Sequence, residues 1–269
     1  MKNNNRFIHF PEQLTEGLAE FIGAHYGDGS MIGTKKSDHG YILRIDGNLK
    51  KDKQYILYLA NKIEKLFGMH PSILFNEKAS TVYLKIYSKK LCEFLHTEWG
   101  FKYGNKGLLT VPQKLSSDKR LLIAFLRGLF DTDGCVTQQK RGNKKDVLLK
   151  ITTKHKLFAD EIRSHLLSYD IKSHVCWKGE NPLGDCYDVC ISCKSARKWF
   201  EIIGSHNDRN INRFKELNGD AGIWTPIYRS GGGRSTKLNY IPVNNETIGR
   251  VFKSCFLSKA SLQQISPSS

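Results

Sequence analysis

The stretches Leu18–Gly29 (LAEFIGAHYGDG) and Arg120–Gly134 (RLLIAFLRGLFDTDG) repeat one pattern, and together they decide the fold. Each is an apolar run of helical length that ends in an aspartate followed by a glycine. These aspartates are Asp28 in the first run and Asp133 in the second. They are 105 residues apart, and an internal repeat of this length predicts a chain made of two related halves.

Small residues recur at every fourth position of both stretches. Because residues four apart lie on one face of an α-helix, each predicted helix carries a flat stripe of small side chains. Such stripes let two helix backbones approach closely, and crossing them would bring Asp28 and Asp133 together. The predicted helix interface consists of Ala19, Gly23, Gly27, Ala124, Gly128 and Thr132. Two adjacent carboxylates repel unless a cation lies between them, and oxygen ligands of this kind suit Mg²⁺.

The two stretches resemble the LAGLIDADG motif of homing endonucleases. Phe21–Gly29 and Leu126–Gly134 fit its nine positions. The first copy departs at the sixth position, where Tyr26 replaces an acid, whereas the eighth position, the family's metal-binding acid, is retained as Asp28 and Asp133. The alternative is two ordinary amphipathic helices with C-terminal glycine caps, and the identical phase of the two copies argues against it.

The segments that follow each motif have the same order of predicted elements. In the first half, strands are predicted at 30–35, 41–48, 72–76 and 81–87, and helices at 51–67 and 89–99. In the second half, strands are predicted at 135–140, 147–152, 173–178 and 186–192, and helices at 155–168 and 195–203.

This order predicts an α+β fold of two pseudo-symmetric αββαββα halves. The first half spans 1–112, the second spans 113–218, and a C-terminal extension of unassigned role spans 219–269. By resemblance, the halves pack through their motif helices, and their antiparallel sheets form a saddle over DNA. Because one chain supplies both motifs, we expect a monomer.

The net charge of the 269-residue chain is +16, and its pI is about 9.5. A protein this basic usually binds a polyanion, and nucleic acid is the default partner. Met1–Asn5 is polar with no apolar region after it, and no run reaches the roughly 18 apolar residues of a membrane span. We therefore expect no secretory signal, no membrane partner and an intracellular location, in the cytoplasm or in an organelle matrix.

The seven cysteines are an odd number, which favours free thiols in a reducing compartment. Four of them cluster in sequence: Cys176, Cys186, Cys190 and Cys193. Their spacing differs from that of paired zinc knuckles, so we interpret them as incidental rather than as a zinc site.

Candidate site residues fall into a catalytic group and a DNA-binding group. The resemblance implies that Asp28 and Asp133 hold Mg²⁺ and that a lysine assists, as a base or by stabilising charge on the phosphate; Lys106 is the candidate. Alternate residues of a strand share a face, so polar residues of four strands are expected to face a DNA groove. They are Arg44, Asp46, Asn48, Lys85, Gln138, Lys140, Lys150 and Thr152.

The predicted function is that of a metal-dependent homing endonuclease. It would cleave both strands of a long, asymmetric DNA target by phosphodiester hydrolysis. The alternatives are an intron RNA-binding maturase and a catalytically inactive DNA-binding protein on the same scaffold. Retention of both acids argues against the inactive protein and leaves the maturase open, because one protein can do both jobs.

Overall fold

The computed structural model describes residues 8–33, 40–141, 144–181, 184–192 and 194–218, all of which belong to one compact unit. The fold is α+β with two pseudo-symmetric halves, as predicted, and each half contains a four-stranded antiparallel sheet. The predicted extension 219–269 lies outside the described residues, as do residues 34–39 of the first hairpin. Within the described residues, no helix is long and apolar enough to span a membrane.

The first half begins at a motif helix and continues through one sheet. Its elements are α1 (Glu16–Asp28), β1 (Gly29–Ile32), β2 (Ile42–Asn48), α2 (Lys53–Phe67), β3 (Ser72–Asn76), β4 (Thr81–Tyr87) and α3 (Lys89–Trp99). A short helix, α4 (Gln113–Ser116), leads into the second half. Its elements are α5 (Lys119–Asp133), β5 (Gly134–Arg141), β6 (Lys144–Thr153), α6 (Lys156–Ser168), β7 (His174–Asn181), β8 (Gly184–Ser192), α7 (Lys194–Ile202) and α8 (Asp208–Asn218).

Each sheet has one apolar face and one open face. The strand orders are β1-β2-β4-β3 and β5-β6-β8-β7, which are equivalent in the two halves. In the first sheet, Leu43, Ile45 and Leu84 alternate with polar residues and are fully buried against the helices. We call the face turned away from the helices the open face; in the second sheet it is the face opposite Leu149 and Ile151.

Local sequence fixes both ends of the motif helices. The Thr15 hydroxyl accepts a hydrogen bond from the Leu18 amide and caps α1, and the Asp118 carboxylate caps α5 by accepting from the Arg120 amide. Each motif helix ends at a glycine, Gly29 or Gly134, that also begins the first strand of its sheet. The acid before each glycine therefore lies at the junction of helix and sheet.

Helices α1 and α5 cross with their backbones in contact. A Cβ atom at Gly23 would lie 2.0 Å from the carbonyl oxygen of Phe125, and one at Gly128 would lie 2.0 Å from that of Glu20. The two close approaches are equivalent because they are related by the pseudo-twofold axis. A Cβ atom at Gly27 would meet the Thr132 hydroxyl at 2.0 Å. The remaining members of the predicted stripe, Ala19 and Ala124, are fully buried.

Candidate functional site

The two motif acids lie together at the carboxyl ends of α1 and α5. Asp28 is exposed and Asp133 is partly buried. A Cβ atom at Gly27 would lie 3.2 Å from the carboxyl carbon of Asp133, so this acid reaches over the last turn of α1. The structure therefore brings together the two acids that the repeat predicts, one from each half.

Burial disfavours ionisation of both motif acids, and Asp28 adds to this effect at Asp133. Burial and the neighbouring Asp28 raise the pKa of Asp133 to about 7, although Lys106 opposes the shift. The pKa of Asp28 is also raised, first by the protein atoms packed around its inner side and then by Asp52, while Lys106 and Arg209 act in the other direction. Two carboxylates with this much unbalanced negative charge form an oxygen-only site that fits a hard divalent cation.

Lys106 lies beside the first motif acid. Its ammonium group donates hydrogen bonds to the carbonyl oxygens of Tyr26, at 2.8 Å, and Gly27. Burial lowers the pKa of Lys106, and both Asp28 and Asp133 oppose this effect. The structure thus places the predicted catalytic lysine at the carboxyl end of α1, beside Asp28.

Arg209, on α8, occupies the equivalent place in the second half. Its guanidinium donates to the carbonyl oxygens of Asp131, at 3.5 Å, and Gly134, at 3.2 Å. Asp131 corresponds to Tyr26 in the first motif, so both halves place a cation on the same carbonyl group. The other end of the guanidinium pairs with Asp52 at 3.1 Å. Arg213, one turn further along α8, instead pairs with the exposed Glu216.

Comparisons with known proteins identify the fold. Residues 120–204 match a family model described as a LAGLIDADG-like domain. The fold matches the homing endonuclease I-DmoI in complex with DNA and Ca, with a TM-score of 0.52 and 18% identity, over 75% of this chain and 98% of that one. It also matches I-WcaI bound to its DNA recognition sequence, with a TM-score of 0.50 and 16% identity, over 77% of this chain and 88% of that one.

The chain has the two-motif LAGLIDADG fold. At these identities the structural likeness establishes the fold alone. An uncharacterized protein of Methanocaldococcus jannaschii is 29% identical over 141 residues. That match covers 51% of this chain and 45% of the relative, so the chain spans less than half of the relative's length.

The sixth LAGLIDADG position has a structural role in both motifs. In the first, Tyr26 packs edge-on against Phe101 and Phe125. In the second, the buried Asp131 accepts hydrogen bonds from the Ser205 hydroxyl and from the His206 amide at 2.8 Å. Burial raises the pKa of Asp131 to about 6, and His206 and Ser205 oppose the shift.

A buried network behind the motif helices contains a second acid, Glu20. Its carboxylate is bonded to Lys62 at 3.0 Å, to the Tyr58 hydroxyl at 2.9 Å and to the His206 ring at 2.7 Å. Burial opposes ionisation, but His206 and Lys62 together lower the pKa of Glu20 well below its usual range. Glu20, Asp131 and His206 also lie close enough to hold a metal ion, but the carboxylates already have protein partners, so we interpret this cluster as a structural network.

His25 lies inside the first LAGLIDADG motif. It is buried and stacks on Phe101, with ring centroids 3.9 Å apart. Burial and the nearby Lys106 lower its pKa well below the usual range. The His25 imidazole is therefore neutral and packs in the interior.

The open face of the first LAGLIDADG sheet carries a charged row. Arg44 pairs with Asp46 through two hydrogen bonds, and its guanidinium lies 4.4 Å from the centroid of the Tyr83 ring. Lys85 is opposite Arg44 in the register, so these predicted DNA-binding residues share one face. Asn48 lies at the end of the row, and its side-chain oxygen accepts from the amides of Lys50 and Lys51, each at 3.1 Å, in the turn before α2.

The open face of the second sheet corrects part of the prediction. Lys150 and Thr152 share that face, where both bond to Asp188, at 3.0 and 2.7 Å. Gln138, however, is opposite the core residue Val147, and Lys140 follows two residues later on the same side. Both therefore lie on the face away from Lys150.

The physical reason is the register that begins at Gly134. This glycine is opposite the buried Ile151, so the residues that share the face of Lys150 are Cys135, Thr137 and Gln139. The stretch 137–141 gave no apolar alternation from which the register could be read. The open-face residue is Gln139, one position away from the predicted Gln138.

Sequence reasoning missed the residues that hold Arg209 in place. Asp52, at the start of α2, is buried and bonds to the Asn207 side chain at 2.9 Å as well as to Arg209. The Asn207 side chain also donates to the carbonyl oxygen of Asp131 at 2.9 Å. Asp52 belongs to the first half and Asn207 to the second, and a sequence offers no signal for such a contact between distant polar residues.

Proposed function

We propose that this protein is a site-specific endonuclease that cleaves both strands of a double-stranded DNA target. The observation that carries the proposal is the pair Asp28 and Asp133 at the carboxyl ends of two helices in backbone contact. Each half contributes one acid to one sheet edge. Two acids in pseudo-symmetric places suit two scissile phosphates, one on each strand.

Asp28 and Asp133 would hold the divalent cation, and Mg²⁺ is the ion that we propose. The fit rests on the donor set, which is oxygen-only; burial raises the pKa of both acids, and Asp28 raises that of Asp133 further. Similar structures are described as complexes of I-DmoI with DNA and Ca, or with DNA and Mn. When bound, the cation would supply an activated water and stabilisation of the leaving oxygen.

Lys106 and Arg209 would supply fixed positive charge on either side of the acids. Lys106 uses two of its three N–H donors on the carbonyl groups of α1, which leaves one for a phosphate oxygen. Because the ammonium is held by these carbonyl groups, its role is to stabilise charge rather than to accept a proton. The Arg209 guanidinium is bonded to Asp52 and to the carbonyl oxygen of Gly134, and it would keep the backbone beside Asp133 in position.

The two open faces would contact the DNA target. A β-sheet fits the major groove, where side chains distinguish all four base pairs. On the first sheet the contacts would come from Arg44, Asp46 and Lys85, and on the second from Lys150, Thr152 and Gln139. Since one chain supplies both sheets and both acids, the proposed functional unit is a monomer. The described residues show no feature that separates RNA from DNA, so we do not extend the proposal to intron RNA.

The test begins with a randomised DNA duplex library incubated with the protein and Mg²⁺, from which the cleaved ends are sequenced. Cleavage of the selected target is then measured for Asp28→Asn and Asp133→Asn. Each substitution keeps size and removes a metal-binding charge, so we expect a loss of roughly a thousandfold or more in rate with target binding retained. The matched control is Asp170→Asn, an exposed acid with a φ of 55° that asparagine tolerates.

Cleavage of both strands by both variants at the wild-type rate would refute the assignment of the acids. Absence of any cleaved product from the library with Mg²⁺ or Mn²⁺ would refute the nuclease proposal itself. If the acids only ended their helices, the variants would cleave normally or would lose stability together with binding. Melting curves and binding isotherms of each variant separate these cases.

A further inference from the structure

The open face of the second sheet carries three side chains that the proposed nuclease does not use. His174 and Cys176 are two residues apart on β7 and share a face, and Cys190 on β8 lies directly opposite His174. One ligand atom from each of the three lies within 4.8 Å of the other two. All three line a surface pocket of about 280 Å³, and His174 is exposed at its rim.

The register favours a metal over a disulfide between the two thiols. Cys176 is opposite Asp188, and Cys190 is opposite His174, so the two cysteines are diagonal neighbours. Diagonal Cα atoms of paired strands are about 7–8 Å apart, which exceeds the usual span of a disulfide of roughly 4.4–6.8 Å. A tetrahedral zinc ion with Zn–S bonds of about 2.3 Å holds its two sulfur atoms nearly 4 Å apart. The two Sγ atoms lie within 4.8 Å of each other, and both thiols are free.

We propose that His174, Cys176 and Cys190 bind one Zn²⁺ ion. Two thiolates and an imidazole are ligands that zinc prefers, and they are too soft for Mg²⁺. The fourth position would open into the pocket and take a water molecule. Neither Asp28 nor Asp133 is a ligand of this site, so the zinc proposal does not depend on the proposed nuclease chemistry.

The surroundings suit such an ion. Two thiolates neutralise the zinc charge, so the loaded site would leave the basic open face almost unchanged. Lys150 and Asp188 also line the pocket and are paired at 3.0 Å, so the Asp188 carboxylate already has a protein partner. Because β7 is the edge strand of its sheet, an ion with ligands on both β7 and β8 would stabilise the pairing of these two strands. The sequence interpretation of these cysteines as incidental rested on chain spacing, which does not show that β7 and β8 are adjacent.

The test uses the full chain, reduced and stripped of metal by dialysis against a chelator, and titrated with Co²⁺ and then Zn²⁺. We expect a thiolate-to-cobalt charge-transfer band with tetrahedral d–d bands, which Zn²⁺ abolishes at about one equivalent. Cys176→Ser and Cys190→Ser should lose the band and bind zinc at least tenfold more weakly. The matched control is Cys186→Ser, a half-buried cysteine of β8 outside the cluster, which should behave as wild type.

Zinc should also raise the melting temperature of the wild type and of Cys186→Ser, but not that of Cys176→Ser. The double variant Asp28→Asn, Asp133→Asn should keep the charge-transfer band, which distinguishes this site from an oxygen-only one. The proposal is overturned if the wild type shows no thiolate band, or if Cys186→Ser loses metal as fully as Cys176→Ser. A Cys176–Cys190 disulfide in the freshly purified protein would overturn it as well.

Discussion

The close crossing of α1 and α5 makes Gly23 and Gly128 the positions least able to accept a side chain. An alanine Cβ at position 23 would lie 2.0 Å from the carbonyl oxygen of Phe125 and 2.9 Å from the amide nitrogen of Leu129. At position 128 it would meet the equivalent atoms of Glu20 and Ala24 at the same distances. Since these atoms are main chain, no side-chain rotation relieves the overlap, and the two helices must separate.

The expected cost follows from that geometry. Ordinary contact begins at 3.4 Å, so α1 and α5 would have to move apart by more than 1 Å. Overpacking of a core typically costs about 1–3 kcal/mol, and separating the helices also removes dispersion contacts along the rest of the crossing. The better helix propensity of alanine offsets about 1 kcal/mol of this. We expect each variant to lose about 2–3 kcal/mol of unfolding free energy, a large part of the roughly 5–15 kcal/mol typical of a protein.

The assay is urea unfolding of Gly23→Ala, Gly128→Ala and the double variant. One separation of the helices makes room for both methyl groups, so the double variant should lose clearly less than the sum of the two single losses. The matched control is Gly17→Ala in the first turn of α1, where the new Cβ would lie 3.6 Å from Leu66 and should be neutral or stabilising. A stabilising effect of Gly23→Ala like that of Gly17→Ala, or additivity of the two losses, would contradict a backbone clash at this crossing.

Three further predictions concern charge. Since the folded-state pKa of Asp133 is raised to about 7, protonation stabilises the fold at low pH, and this contribution is lost as pH rises through 7. In chelator at pH 8, the unfolding free energy of Asp133→Asn should therefore exceed that of the wild type by about 1–2 kcal/mol, after solvent screening is allowed for. Near pH 4 the two proteins should melt at the same temperature. Lys106→Met should slow cleavage about 10²–10³-fold and raise the pH of half-maximal rate, because Lys106 lowers the pKa of both acids, whereas the exposed Lys102→Met should change neither. With a net charge of +16, target affinity should fall roughly 10³–10⁵-fold between 50 and 200 mM salt, and a flat dependence measured by fluorescence anisotropy would remove DNA as the main partner.

The sequence predicted the elements that have a local pattern. Strands β3 and β4 and helix α3 begin and end at the predicted residues, because alternation and helical spacing are local properties. Helices α4 and α8 were not predicted: α4 has four residues, and α8 is polar apart from Phe214 and a few neighbours. The side chain of Phe214 is buried against Phe200, so tertiary packing rather than an apolar stripe selects α8.

For the candidate site too, the sequence predicted the residues that belong to a pattern and missed those that do not. Asp28 and Asp133 were found because they belong to a motif that occurs twice in the same phase. Asp52 and Asn207 were not, because their roles depend on a contact between residues 155 positions apart in the sequence. The faces of Gln138 and Lys140 were assigned wrongly because polar hairpins carry no apolar alternation to fix the register.

The two halves have the same backbone fold but different side chains on their open faces. This difference bears on the DNA target that we propose. On the first open face, Arg44 pairs with an acid of its own strand and lies over Tyr83; on the second, Lys150 and Thr152 both bond to Asp188 of the neighbouring strand. A palindromic target would require the same groups in both halves. Chemically different faces instead read different half-sites, so the proposed nuclease should select an asymmetric DNA sequence. The acids at the centre can remain equivalent in position because the pseudo-twofold symmetry relates the backbones of the two halves and does not extend to the side chains of the open faces.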